Sequence, residues 1–397
     1  MTLTLLPHSR ELLPWAPADA GVKLVHDYEA TVPPPLTSQR LHIDADIASL
    51  CQEARLALAI LDRSPVMHRP GVAGTLTVAE AIASSLVDGH IATSKQLAAA
   101  MGQQSTTRSA RAIHQAATNL AAHVDASRRA VTLGSLSLAY GPPRRMASGH
   151  QKGAAYRSIQ TWRGGTDLWP EGADYVPPHP ARIATLMDDV VSFAARDDID
   201  PVAQAAIAHG QLRSIEPFGH HNDHVARTLI NGILRARRAT ERSVVPISAA
   251  LASNSLRYNG SWRTFREGDA TAMVEMVAHA TIRAAEAAGH LAEHIAHLPE
   301  QWREAAHPRR GSAARALADV LPDNPVVNAQ RVQDLTGASQ ASAYDAIARL
   351  AEAGVLTRVS PTRRDTAWAA LDVFDAAQGL VSDLAGRTAN TPPRPRS

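Results

Sequence analysis

The stretch from Ser214 to Arg238, SIEPFGHHNDHVARTLINGILRARR, concentrates residues able to do chemistry. His220, His221 and His224 fall within five positions, and Glu216 lies just upstream. On an uninterrupted helix Glu216, His220 and His224 would share one face at i, i+4 and i+8, and two histidines four apart are a zinc arrangement. A second chemistry fits the same letters. The extended IEPF leads through polar residues into an apolar helical run through Leu229, Ile230, Ile233 and Leu234. The first backbone N–H groups of such a helix are unpaired and carry partial positive charge, which suits an anion, most often phosphate.

The elements that must position these residues are mostly helical. Aromatic residues make up only 4% of the 397-residue chain, so its cores are expected to be built from Ala, Leu, Val and Ile in closely packed helices. The length suits two or three domains. A net charge of +2 gives no global field that selects nucleic acid or an anionic membrane, so any basic surface must be local. The single cysteine, Cys51, excludes an intramolecular disulfide and a multi-cysteine zinc site, and fits a cytoplasmic home. The opening MTLTLLPHSRELLPWAP is a poor signal peptide, and no run approaches the ~20 apolar residues of a membrane span.

Residues 1–22 read as a flexible leader, and the Pro-rich YEATVPPPL after them as extended chain. Helical stripes follow in IDADIASLCQEARLALAILDR, in TVAEAIASSLVDG ending at a capping Gly89, and near Ser94–Met101 and Thr107–Ala126. Breakers fill Gly141 to Gly165 before a short strand-like piece, and the prolines of ADYVPPHPARI predict an extended surface run. PARIATLMDDVVSFAARD and PVAQAAIAHGQLRSI read as helices, and GDATAMVEMVAHATIRAAEAAGHLAEHIAHL as a long helix or a helix pair.

EPFGHHNDHVAR resembles the signature of the Fic (Fido) family, H-P-F-x-[DE]-G-N-[GK]-R-x-x-R, whose members mostly transfer AMP from ATP to a protein hydroxyl. Pro217, Phe218, Asn222 and Arg227 match it. ASSLVDG is similar to the family's inhibitory helix, [ST]-x-x-x-E-[GN], with Ser84, Asp88 and Gly89 in place and Asp for Glu. GAAYRSIQTWRGG with DYVPPHP resembles the substrate-aligning flap, including Tyr156, Arg157, Gln160, Tyr175, Val176, Pro177 and Pro178, and RYNGSWRTFREGD resembles the segment after the core. The resemblance implies a mainly α fold: a Fic helical core with a small β-hairpin flap and a C-terminal winged helix-turn-helix domain. The expected boundaries are 23–105 for an N-terminal region with the inhibitory helix, 106–300 for the Fic domain, 301–311 for a linker, 312–380 for the winged helix and 381–397 for a disordered tail.

The departures from the signature all weaken phosphate chemistry. Glu216 stands where the resemblance puts the catalytic histidine, and a free Glu has a pKa near 4.3 against about 6.5 for His. His220 replaces the acidic magnesium ligand, which argues against Mg²⁺. His221 and Asp223 replace residues of a glycine-containing anion nest, where positive φ is cheap only for glycine. His224 replaces the first arginine, a bidentate phosphate clamp. Arg227 keeps the second, which in the family pairs with the inhibitory acid, here Asp88. The nucleotide or anion loop would thus comprise Phe218, Gly219, His220, His221, Asn222, Asp223, His224 and Arg227. The resemblance also puts Glu216 before the helix, which breaks the metal register, so we expect no metal. In place of a metal site the histidines are expected to be solvated or to fill the phosphate cavity, an open pocket at 219–224 favouring a ligand and one filled by His221 and His224 a scaffold.

SQASAYDAIARLAEAG reads as a recognition helix, with Ser339, Gln340, Ser342 and Tyr344 near its start, and SPTRRD as a wing tip offering Arg363 and Arg364 to phosphates. Such a domain serves DNA or protein contacts, homodimerisation included. Three functional readings stay open: a degenerate Fic protein acting as a nucleotide-, anion- or DNA-binding regulator; an active transferase using Glu216 as base, with a target protein at the flap; and an antitoxin-like or scaffold partner of another Fic protein. The resemblance implies ATP or another nucleotide as the ligand; the residues themselves fix no cofactor.

Overall fold

A computed structural model of the chain describes residues 3–15, 26–105, 107–141, 144–145, 151–152, 156–166, 168–360 and 366–386. The chain opens on an antiparallel pair, β1 (Ser9–Trp15) and β2 (His26–Val32), with Ser9 opposite Val32 and Trp15 opposite His26. Five helices follow: α1 (Ala45–Arg63), α2 (Val72–Val87), α3 (Ser94–Met101), α4 (Arg108–Ala126) and α5 (Leu133–Tyr140). A short antiparallel pair, β3 (Arg144–Arg145) and β4 (Gln151–Lys152), precedes α6 (Ile183–Ala194), α7 (Pro201–Ile215), α8 (Asn222–Ala236), α9 (Ile247–Ala252), α10 (Ser255–Arg266) and α11 (Thr271–Ala306). The last segment runs α12 (Ala313–Val320), β5 (Val326–Val327), α13 (Ala329–Thr336), α14 (Gln340–Glu352), β6 (Thr357–Arg358), β7 (Trp368–Ala369) and α15 (Leu371–Leu384). Its sheet has the order β5-β7-β6 and is antiparallel. The fold is mainly α with small antiparallel sheets, as expected.

Local chemistry sets the boundaries. Thr93 and Gln96 form a capping box at the start of α3, and Thr132 with Ser135 does the same for α5. Asp200 caps α7 by accepting from Val202 N at 2.8 Å, with Pro201 at the first helical position. Gly71 opens α2 at φ +80°, and a Cβ there would lie 2.4 Å from Pro322, so the position needs glycine twice over.

The chain forms two compact units. One comprises Met1–Arg55, Ala122–Ala239 and Ser255–His279. Its centre is α7, whose fifteen residues are all buried, packed on α6, α8 and α10. The small side chains of PVAQAAIAHG let neighbours come close: a Cβ on Gly210 would already sit 3.1 Å from the Phe265 ring. The segment before β1 is fixed to this unit by Leu5 N to Gly268 O and His8 N to Arg266 O, with Leu3 and Leu5 buried.

The other unit comprises Leu56–Ala121, Thr240–Asn254 and Ala280–Ser397. Here α2 packs on α9 and α15, and α15 on α3. Glu80 of α2 is 2% exposed and accepts from Ser248 N at 3.0 Å and Ser248 Oγ at 2.5 Å. Ser94 donates to Asp375, and Gln378 Nε2 donates to Ala92 O at 2.9 Å. Among the described residues no helix is long and apolar enough to cross a membrane.

Several expectations need correction. The supposed leader contains β1, because residues 9–15 have a partner strand that periodicity within them cannot reveal. The stretch after residue 271 is one helix, and it absorbs Pro299 and half the expected linker, ending at Ala306. The run Tyr175–Pro178 is extended but buried rather than on the surface. The last segment groups with α2, α3 and α9 instead of standing apart. The expected tail from residue 387 onward lies outside the described residues, whereas 381–384 belong to α15.

Candidate functional site

The helix α7 ends because Glu216 turns left-handed, at φ +46° and ψ +62°. Such a backbone costs a non-glycine residue about 1–3 kcal/mol, and the residue before proline is restricted further. Surrounding bonds impose it. Glu216 N donates to Leu212 O at 3.2 Å, Arg157 Nε donates to Glu216 O at 2.8 Å, and Arg157 N donates to Pro217 O at 2.9 Å. The loop then closes on Asn222, whose Oδ1 accepts from Phe218 N and whose Nδ2 donates to Phe218 O, both at 2.8 Å. Phe218 is buried and stacks on Tyr140 at 4.5 Å. His221 precedes α8 at φ +59°, keeping with a histidine the conformation that glycine takes most cheaply.

The three histidines go separate ways. His220 is exposed and stacks on Tyr140 at 5.2 Å. His221 is exposed, its ring 4.5 Å from that of His220. His224 is buried, and burial, then the charges of Arg227 and His221, push its imidazole down to about 3. So His224 fills the interior and His221 does not, because the left-handed turn at 221 directs that side chain outward. Among the described residues no group of three His, Cys, Asp or Glu is placed to hold a metal ion.

Glu216 finds its partner in a residue sequence reading passed over. Arg163 Nε donates to Glu216 Oε1, while Arg163 Nη1 and Nη2 donate to the two oxygens of Asp223 at 3.1 Å. One guanidinium therefore clamps the carboxylate before the loop and the carboxylate in the first turn of α8. Arg213 adds a second clamp, with Nε donating to Asp223 Oδ1 at 3.1 Å and Nη2 to Asn259 Oδ1 at 2.7 Å. Its guanidinium carbon lies 4.4 Å from both the Tyr258 and Trp262 ring centroids. Burial raises the Glu216 carboxyl, and the Arg163 charge only partly offsets it. For Asp223 the burial effect is overwhelmed by Arg213 and Arg163, which hold its carboxyl far below the usual range.

Two glycines aim Arg163. Gly164 and Gly165 sit at φ +75° and +71°, and a Cβ on Gly164 would fall 2.2 Å from Asp174 Oδ2. The chain thus doubles back so that Arg163 N donates to Tyr175 O and Asp174 N donates to Arg163 O, both at 2.8 Å. Tyr175, Val176 and Pro177 are enclosed by their own unit. Tyr175 Oη donates to Ser214 O, Val176 O accepts from Thr31 N at 2.9 Å, and Pro177 O accepts from Gln160 Nε2 at 2.8 Å. The available signals were the pair of glycines after Arg163, and Arg213 as the one arginine of α7, since a buried charge needs a partner.

Ser84, Asp88 and Gly89 belong to the other unit. Ser84 is buried within α2, Asp88 caps it in an exposed position, and Gly89 follows at φ +84°. Ser342 and Tyr344 are exposed near the start of α14, Tyr344 by 56%. Arg363 and Arg364 lie outside the described residues.

The profile of the Fic/DOC family matches residues 104–234, a span that holds the loop, α7, nearly all of α8 and Arg163. Within those limits the match marks residues 104–234 as a Fic/DOC family region. Among solved structures it is similar to that of a Fic family protein from Desulfovibrio desulfuricans G20, at 17% identity over 85% of this chain and 98% of that one, with a TM-score of 0.46. No curated protein matches the chain.

Proposed function

We propose that this chain is a Fic protein that has given up ordinary AMP transfer and acts as an anion-binding regulator, with ATP or another nucleotide as the ligand class. One observation carries the reading: Arg163 holds the carboxylates of Glu216 and Asp223 together. A general base needs a lone pair within reach of the proton it takes. The Glu216 carboxylate is instead engaged by a guanidinium, at the position where the family resemblance puts the base. His220 offers no hard oxygen ligand for Mg²⁺. The cations that gather at the loop, with the N-terminus of α8, still favour an anion. On this reading the protein works in the cytoplasm.

The test uses radiolabelled ATP with cell lysate, comparing wild type with Glu216→Ala, alongside calorimetry of ATP with and without Mg²⁺. The expected result is binding that does not depend on Mg²⁺ and no transfer of label. Label transfer that Glu216→Ala abolishes would establish the enzymatic alternative instead.

A second reading rests on the exposed Ser342 and Tyr344 at the head of α14, in a helix pair followed by a β6–β7 hairpin. This arrangement supports a winged helix that meets DNA. A gel-shift assay on the chain's own promoter, with a Ser342→Ala/Tyr344→Ala double variant, tests it. Absence of any wild-type shift would remove the role.

A further inference from the structure

Trp262 is ringed by arginines. The guanidinium carbons of Arg266, Arg213 and Arg163 lie 4.3, 4.4 and 5.5 Å from its ring centroid. Arg157 stands next to them and spends its donors on the carbonyls of Glu216, Ile159 and Pro178, with no carboxylate among its hydrogen-bond partners. Arg163 and Arg157 act on Glu216, and Arg213, Arg163 and Arg227 on Asp223, so four guanidiniums bear on these two carboxylates, while the acidic neighbour of Arg266 is Glu267. The α8 N-terminus adds partial positive charge to the same place. Arg213 is 4% exposed, and its Nη1 is buried without a hydrogen-bond partner. The cluster is short of negative charge.

The two carboxylates are not held alike. Asp223 has Arg213 as well as Arg163, and Arg213 is braced by Asn259 and sandwiched by two rings. Glu216 is 5% exposed and takes its side-chain guanidinium contact from Arg163. Arg163 has access to solvent, its side chain 35% exposed, whereas Arg157 and Arg213 are buried. The groups that face the Glu216 carboxyl are Arg163 and Arg157 from the segment before the glycine pair, Tyr175, and Asp223 from α8.

Building on the anion-binding reading, we propose that a phosphate-class anion binds at the head of α8 by drawing Arg163 away from Glu216, and that Glu216 takes up one proton from solvent as it does so. The exchange is balanced. The anion gains the guanidinium, a buried carboxylate loses its counter-ion, and the proton cancels the charge left behind. Burial already favours the protonated carboxyl, and Arg163, with a smaller contribution from Arg157, opposes it. Arg163 is then the residue that decides whether the site is closed on itself or open to ligand.

Calorimetry on the full chain at pH 7, with inorganic pyrophosphate and separately with ATP, in Hepes and in Tris, counts protons from the difference in buffer ionisation heat. The expected result is uptake approaching one proton per anion for wild type. Glu216→Gln should bind at least tenfold more tightly with no uptake, and Arg163→Ala at least tenfold more weakly. Equal affinity for the two ligands identifies the phosphate group alone as what is recognised, and tighter ATP binding identifies a nucleotide; both support the exchange when the proton count holds. Binding without proton uptake, or undiminished binding by Arg163→Ala, overturns the proposal while leaving anion binding intact. If neither wild type nor Glu216→Gln binds either ligand, both fall. The wild-type proton count needs no variant to fold.

Discussion

The imidazole of His123 occupies the space that any side chain on Gly232 would need. A Cβ built on Gly232 would lie 2.1 Å from His123 Nε2. The ring is fully buried and fixed from its other side, with Nδ1 2.8 Å from Ser135 O. It cannot retreat. Alanine would favour the α8 helix by ~1 kcal/mol over glycine, yet we expect Gly232→Ala to destabilise the fold by roughly 1–3 kcal/mol through overpacking. Urea unfolding at pH 7 measures this, and a midpoint at or above wild type would refute the account.

Buried neutral histidines should make the protein acid-sensitive. Burial pushes His123 and His209 down to about 4, the latter bonded by Tyr258 Oη at 2.9 Å. Their unfolded value is near 6.5. Below 6.5 the unfolded chain binds protons that the folded one refuses, so stability is full above 6.5 and is lost as pH falls toward 4. Urea midpoints measured from pH 7.5 to 4.5 should be flat at first and then decline. A flat profile down to 4.5 would contradict the buried neutral state.

Cys51 should be silent in the folded protein. It is fully buried, and burial, with the charge of Asp200, pushes its thiol up to about 12. The reactive species is the thiolate. An aromatic disulfide reagent at pH 8 is expected to report no thiol in native protein and one in guanidinium chloride. Rapid native labelling would falsify this placement.

Asn222 is expected to matter for stability whatever the activity. Its side chain closes the loop through two bonds to the Phe218 backbone. Asn222→Ala leaves a part-buried donor and acceptor unmet, at about 1–3 kcal/mol. A thermal midpoint unchanged by the substitution would show that the loop holds without that closure.

What sequence reveals here follows from distance along the chain. The loop-to-helix turn at 216–222 is legible because its determinants, Pro217, Asn222 and the apolar stripe of α8, are neighbours. The clamp on Glu216 is not, since Arg163 lies far upstream and its role depends on a glycine turn meeting Tyr175. The same holds for β1, which is a strand because of β2 and not because of its own letters. Metal spacing among the histidines is misleading for a related reason. It assumes one continuous helix, whereas the left-handed residues Glu216 and His221 break the register twice.

The packing of α15 on α2 has a consequence for synthesis. Residues 72–87 leave the ribosome long before residues 371–384 exist, so α2 emerges with an apolar face whose partner has not yet been made. The other unit closes only when residues 255–279 arrive. Neither unit can finish folding on a growing chain until most of the protein has been translated, and a chain cut short before α15 would release α2 without its cover.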